Sequence, residues 1–236
     1  MLKFYNIYGM HASLAALNNP SREIKHVACS TQVFGEHKDI IAKFNYKILP
    51  EKELQNLAKT SGHQGIVLTV APIMTQELEN LEDVTKIAIL DQITDPQNFG
   101  AILRSAAAFD FDIIIIPKNN SVEENSTVAK TSSGGLELVK IVQVVNITNT
   151  IAELKKLGFW VIGLDGKTKS TLDDLPNLDK IVAIIGSEGN GIRPLVKNNC
   201  DFLVKIPMSS RIESLNASNA AAIFFNAIYQ KLGYNN

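Results

Sequence analysis

Aliphatic residues occur along this chain in short unbroken runs, and the stretches between them carry helical spacing. Ile87–Leu90, Ile113–Ile116, Ile141–Val145, Trp160–Leu164, Val182–Ile185 and Phe202–Ile206 predict strands. Phe99–Phe109, Ser126–Lys130, Ile147–Leu157, Arg193–Lys197 and Ser218–Leu232 predict helices between and after them. Continuous aliphatic strands alternating with helices indicate an α/β fold, with a parallel sheet covered on both faces. Nearer the start, His11–Leu17, Glu36–Phe44 and Pro50–Lys59 read as helices. Ile24–Cys29, Tyr46–Leu49 and Ile66–Val70 read as strands of a smaller α/β unit. Ala71-Pro72 followed by an acidic stretch marks a boundary. The expected organisation is a first domain at 1–72, a linker at 73–85 and a second domain at 86–236, with no internal repeat.

Length agrees with this, since 236 residues suffice for two ordinary cores. With 45% hydrophobic and 20% charged residues, disorder and fibrous repeats are excluded. A net charge of −1 excludes polyanion binding by bulk charge alone. The distribution is uneven, however. Residues 1–70 hold eight Lys/Arg against five acids, a local +3 that suits a modest docking face for a polyanion or an ordinary solvated surface. Cys29 and Cys200 stand far apart with no Cys/His ligand set, so neither a zinc site nor a disulfide framework is expected. No aliphatic run is long enough to cross a bilayer, and the first residues lack a signal peptide's apolar core. A cytoplasmic protein without membrane contact is the expectation.

In a parallel sheet, ligands bind beyond the carboxyl ends of the strands, which directs attention to three loops. The first, after Leu90, contains Asn98-Phe99-Gly100 with Arg104 nearly two helical turns beyond Asn98, and Asn98 is a candidate helix cap. Arg104 fits either a surface ion pair or a grip on a phosphate or ribose oxygen. The second reads Gly186-Ser187-Glu188-Gly189-Asn190-Gly191. Its glycine spacing is not the dinucleotide pattern, and no Lys-Ser/Thr pair of a phosphate loop follows. A tight turn explains its glycines but gives no reason for Glu188. The third runs Ile206-Pro207-Met208 to Ser214-Leu215-Asn216-Ala217-Ser218 ahead of a small-residue helix, where Ser and Asn suit capping as well as chemistry. The second domain has no histidine, which excludes a Ser-His-Asp arrangement within it. Its carboxylates (Asp91, Asp95, Asp165, Glu188, Glu213) are too scattered to suggest a metal.

Together the three loops resemble the SpoU (TrmH-like) family of RNA ribose 2′-O-methyltransferases, within the SPOUT superfamily. The Asn-x-Gly-x-x-x-Arg motif matches Asn98…Arg104, Gly-x-Glu-x-x-Gly matches Gly186…Gly191, and Ile-Pro-Met…Ser-Leu-Asn-x-Ser matches Ile206…Ser218. Ala217 stands where the family commonly has valine. Residues 7–24 and 62–68 resemble the substrate-binding domain of the RlmB-type branch, which methylates a guanosine of 23S rRNA and whose small domain is L30/L7Ae-like. The resemblance implies a C-terminal trefoil knot, S-adenosyl-L-methionine as cofactor, and a homodimer formed through the catalytic domain. It implies that Asn98, Arg104, Glu188, Ser214 and Asn216 serve catalysis. Leu164, Gly186, Glu188, Gly191, Ile206, Met208 and Leu215 would hold the cofactor. Tyr5, Tyr8, Lys25 and Lys38 are candidates for RNA contact. Two further readings stay open: a transfer-RNA ribose methyltransferase of the same family, and a non-catalytic RNA-binding assembly factor that kept the fold.

Overall fold

Strand β5 (Lys86–Asp91) is buried at every residue, and so is β6 (Ile113–Pro117). Strands with no solvent-facing side must lie inside a sheet covered twice. A computed structural model describing residues 4–75 and 77–232 places them there; Lys3, counted in the basic excess, lies outside the described residues. The remaining strands of this sheet are β7 (Lys140–Val144), β8 (Trp160–Leu164), β9 (Ile181–Gly186) and β10 (Phe202–Val204). The sheet has the order β10-β8-β9-β5-β6-β7, and every pairing is parallel.

Alternation along β5 divides the core. Ile87 and Ile89 face a layer with Ile147, Ile151 and Leu154 of α7 (Ile147–Lys156) and Val196 of α8 (Pro194–Lys197). Ala88 and Leu90 face α4 (Pro96–Ala108) and α9 (Ala217–Leu232) through Phe99, Ile102, Phe224 and Phe225. The chain builds outward from β5 through β6 and β7. It then returns to insert β9 between β8 and β5. Strand order therefore reverses at the β5–β9 pair, where Asp91 and Gly186 stand in register at the carboxyl ends.

The first domain holds β1 (Tyr5–Tyr8), β2 (Ile24–Cys29), β3 (Tyr46–Ile48) and β4 (Ile66–Val70) in the order β1-β4-β2-β3. Helices α1 (Met10–Asn18), α2 (Thr31–Ile41) and α3 (Glu51–Ala58) accompany them. Strand β1 escaped the sequence reading because only Ile7 of its four residues is buried. Helix α2 starts five residues earlier than expected. Ser30 caps it by accepting a hydrogen bond from the Val33 amide at 3.2 Å. Strand β10 stops at Val204, two residues short of the expected Ile206. Two short helices, α5 (Ser126–Ser132) and α6 (Gly135–Leu138), follow β6, and α6 was not expected.

Residues 73–75 and 77–85 are held against the second domain. Thr75 bridges to Val142 beside β7, and Leu78, Leu81 and Val84 pack onto the core face shared with α7. One continuous set of buried side chains runs from Ile7, Val27 and Leu68 in the first domain to Leu103 and Phe225 in the second.

Candidate functional site

The loop after β9 closes on itself. A Cβ at Gly186 would lie 2.0 Å from the Gly191 carbonyl carbon and 2.2 Å from the Ile192 amide nitrogen, so no side chain fits there. The Gly191 amide donates to the Ser187 carbonyl at 2.9 Å, and Gly189 and Gly191 take positive φ (82° and 67°). Glu188 stands exposed within this turn, and the turn does not need it.

Asn216 meets Glu188. Its Oδ1 accepts from the Ser218 amide (2.9 Å) and the Ser218 hydroxyl (2.6 Å), and its carbonyl accepts from the Ala220 amide, so it caps α9. Its Nδ2 points at Glu188 Oε2 at 3.5 Å, the long limit of a hydrogen bond. The cap uses its Oδ1 and leaves its Nδ2 facing Glu188. Ser214 is exposed nearby, Leu215 and Ile206 are half-buried, and Met208 is 42% exposed.

Strands β10, β8 and β9 are neighbours, so the loops after Val204, Leu164 and Gly186 emerge side by side. The Asp165 amide donates to the Val204 carbonyl (2.8 Å), and Lys197 Nζ of α8 meets Asp165 Oδ2 at 2.5 Å. Burial opposes ionisation of Asp165, but Lys197 and the Lys167 amide outweigh it and hold the carboxyl below its ordinary range. Asp91, fully buried at the end of β5, accepts from the Arg193 amide (2.9 Å) and Nε (2.7 Å) and pairs with Nη2 (2.7 Å). This pair ties β5 to the loop after β9. Arg193 was not foreseen, although a carboxylate ending an otherwise apolar buried strand must find a partner.

At the start of α4 the cap is Asp95, not Asn98. Asp95 Oδ2 accepts from the Asn98 amide at 2.7 Å and Pro96 takes the first turn, which leaves Asn98 as the third helical residue. Arg104 is exposed and has no ion-pair or hydrogen-bond partner among the described residues. Gly100 serves packing: a Cβ there would meet Thr131 Cβ of α5 at 2.7 Å and the Val128 carbonyl at 2.9 Å. Glu188 and Asn216 thus link the second and third loops, and neither Asn98 nor Arg104 is hydrogen-bonded to them within the described residues.

Of the proposed RNA contacts, Lys25 and Lys38 lie on open surface, and Lys25 Nζ sits 5.0 Å from the Phe4 ring centre. Tyr8 packs half-buried against the Leu49–Leu54 cluster. Tyr5 is engaged elsewhere. Its hydroxyl donates to Glu124 Oε1 at 2.5 Å between the two domains, and burial, then Glu124, drives its pKa well above the ordinary phenol value. Among the described residues no three His, Cys, Asp or Glu side chains group to hold a metal, and no helix is long and apolar enough to cross a membrane.

Residues 85–226 match the model of the SpoU rRNA Methylase family. The chain belongs to this family. Residues 6–76 match the model for RNA 2′-O ribose methyltransferase substrate binding. Relatives assigned to the TrmH family of tRNA/rRNA methyltransferases include YacO of Bacillus subtilis, 34% identical over 95% of each chain. Another, from Staphylococcus haemolyticus, is 39% identical over 80% of this chain and 78% of its own. Among solved structures, the SpoU methyltransferase AviRb from Streptomyces viridochromogenes, in complex with AdoMet, shares the fold. Its TM-score is 0.79 at 19% identity, covering 96% of this chain and 89% of its own. The AdoMet-bound rRNA methyltransferase from Sinorhizobium meliloti does so with a TM-score of 0.81 at 19% identity, over 98% and 88%. As a SpoU-family methyltransferase, the protein carries its three motif loops on α4, after β9 and ahead of α9.

Proposed function

We propose that the protein transfers a methyl group from S-adenosyl-L-methionine to a ribose 2′-oxygen of RNA, at a guanosine of 23S rRNA. The observation that carries this reading is the side-by-side emergence of the loops after β8, β9 and β10, with Glu188 and Asn216 in contact above them.

That cradle fits the cofactor chemically. The closure at Gly186 presents backbone where a side chain would intrude, and Leu164, Ile206, Met208 and Leu215 offer partly exposed apolar surface for an adenine and the methylene groups of the methionine moiety. Gly191 allows the turn, and Glu188 offers a carboxylate to hydroxyl or ammonium donors. When bound, S-adenosyl-L-methionine supplies a methyl group already activated on a sulfonium. The chain must align the 2′-oxygen and manage its proton. Guanidinium stays protonated and has no acceptor, which makes Arg104 a poor base. Arg104 acts instead as a clamp on the developing alkoxide and a neighbouring phosphate, and the proton leaves to a phosphate oxygen, water or a carboxylate. Ser214 and Asn216 orient ribose or cofactor, and Asn98 completes the site.

Arg104, unpaired on α4, and Ile223, 44% exposed on α9 which packs on α4, support a homodimer in which a second copy completes the site. The insertion of β9 beside β5 and the return of α9 onto α4 suit a C-terminal trefoil knot. Residues 1–72 then select RNA through their basic surface, including Lys25 and Lys38, while 86–236 carry the chemistry in the cytoplasm. The tRNA/rRNA descriptions of the relatives keep transfer RNA as the second substrate reading.

Methyl transfer from labelled S-adenosyl-L-methionine to ribosomal and transfer RNA lacking 2′-O-methyls tests both. The expected product is a single 2′-O-methylguanosine in 23S rRNA, identified by nuclease digestion and mass spectrometry. Label confined to transfer RNA overturns the substrate, and label on a base overturns the atom. Arg104→Ala should slow transfer by about 100-fold or more. A near-normal rate in Arg104→Lys would sink the clamp, because lysine lacks the guanidinium fork.

A further inference from the structure

A buried ion triad joins the two domains. The side chains of Arg22, Glu124 and Glu137 are 0%, 2% and 3% exposed. Arg22 Nη1 donates to Glu124 Oε1 and the Ala71 carbonyl, both at 2.6 Å. Its Nη2 and Nε donate to Glu137 Oε1 (2.6 Å) and Oε2 (3.1 Å). The other carboxylate positions are also taken. Glu124 Oε2 accepts from the Ile73 and Met74 amides, Glu124 Oε1 from Tyr5, and Glu137 Oε2 from Asn19. A forked cation between two fully satisfied carboxylates permits one arrangement and penalises others heavily.

Glu124 precedes α5 and Glu137 lies within α6, and the α5–α6 segment has the first domain on one side and α4 on the other. Two consecutive glycines bring these surfaces close. A Cβ at Gly134 would stand 3.0 Å from Ala15 Cβ of α1. A Cβ at Gly135 would stand 2.7 Å from the Leu103 carbonyl oxygen and 3.0 Å from Arg104 Cα. One turn of backbone therefore separates the first domain from the residue that carries the guanidinium. On the α5 side, Lys130 Nζ donates to Gln64 at 2.8 Å, while Gly100 of α4 receives Thr131.

We propose that Arg22 is a positioning residue for methyl transfer. Through Glu124 and Glu137 it seats the α5–α6 layer, and through that layer it sets the placement of α4 that aims Arg104. The first domain then tunes the chemical step as well as recruiting RNA. This rests on the reading of Arg104 as a catalytic residue.

The test compares Arg22→Met, Arg22→Lys, Glu137→Gln and Arg104→Ala in the full chain. It measures single-turnover methyl transfer at saturating RNA, RNA affinity, S-adenosyl-L-methionine affinity and melting temperature. Arg22→Met and Glu137→Gln should lose about 10- to 100-fold in transfer rate, with both affinities retained, as a small misplacement of a catalytic group does. Arg22→Lys should recover part of the rate, because it restores the charge without the fork. If Arg22→Met fails to fold, Glu137→Gln, which keeps the shape of the side chain, carries the comparison. An unchanged rate in the folded variants, or a loss confined to RNA affinity, overturns the proposal. Full activity in Arg104→Ala overturns the reading beneath it; an inactive Arg104→Ala beside an unaffected Arg22→Met overturns the positioning role alone.

Discussion

Glycines of the same loop do different work. Gly186 is short of space, with the loop's own backbone at 2.0 Å, whereas Gly189 has nothing within 4 Å and only a positive φ to satisfy. Gly186→Ala should therefore open the loop, destabilise the protein by about 1–3 kcal/mol or more, and abolish cofactor binding in a calorimetric titration. Gly189→Ala should cost about 1 kcal/mol and leave measurable binding. Equal behaviour of the two would refute the closure argument. The sequence displayed the glycines and made Glu188 stand out among them. Which glycine needs space and which needs only a left-handed backbone depends on atoms that meet after folding. The same holds at Asn216, whose cap and whose reach to Glu188 are both real.

At the level of elements, α4 shows what local rules capture. Its helical span was legible from apolar spacing, yet its cap moved to Asp95 because proline at the first helical position fits an aspartate before it. Gly100 lies where α4 crosses α5, against the Val128 carbonyl. Gly100→Val should push the helices apart, costing about 1–3 kcal/mol in urea unfolding, and should slow methyl transfer because Arg104 rides on the same helix. A stable, fully active Gly100→Val would show that this contact is dispensable. Strand β1 and helix α6 left little trace in the sequence. Four residues are too few to display a period, and both owe their order to neighbours, β1 to β4 and α6 to α1 and α4.

For the whole molecule, the acidic stretch at 73–85 behaves as part of the catalytic domain's surface, and the apolar core crosses the domain seam. Together with the buried Arg22 triad, this predicts one cooperative unfolding transition in scanning calorimetry. Two separated transitions would show that the seam is weaker than its geometry. Burial also governs the thiols. Burial raises the Cys29 pKa and pushes that of Cys200 up to about 12, which accords with two cysteines placed for packing.

The sequence by itself determined the strand–helix alternation, the parallel sheet, the three loops and the family they point to, because strand burial and motif spacing are local properties of the chain. Tertiary structure alone decided that β9 inserts between β8 and β5, that Asp91 binds Arg193, that Tyr5 faces Glu124, and that Arg22 locks the two halves together. Those partners are separated by about 100 residues or more. Nothing in local spacing encodes such pairs. They form because a charge or hydroxyl taken out of water must find a partner wherever packing has brought one.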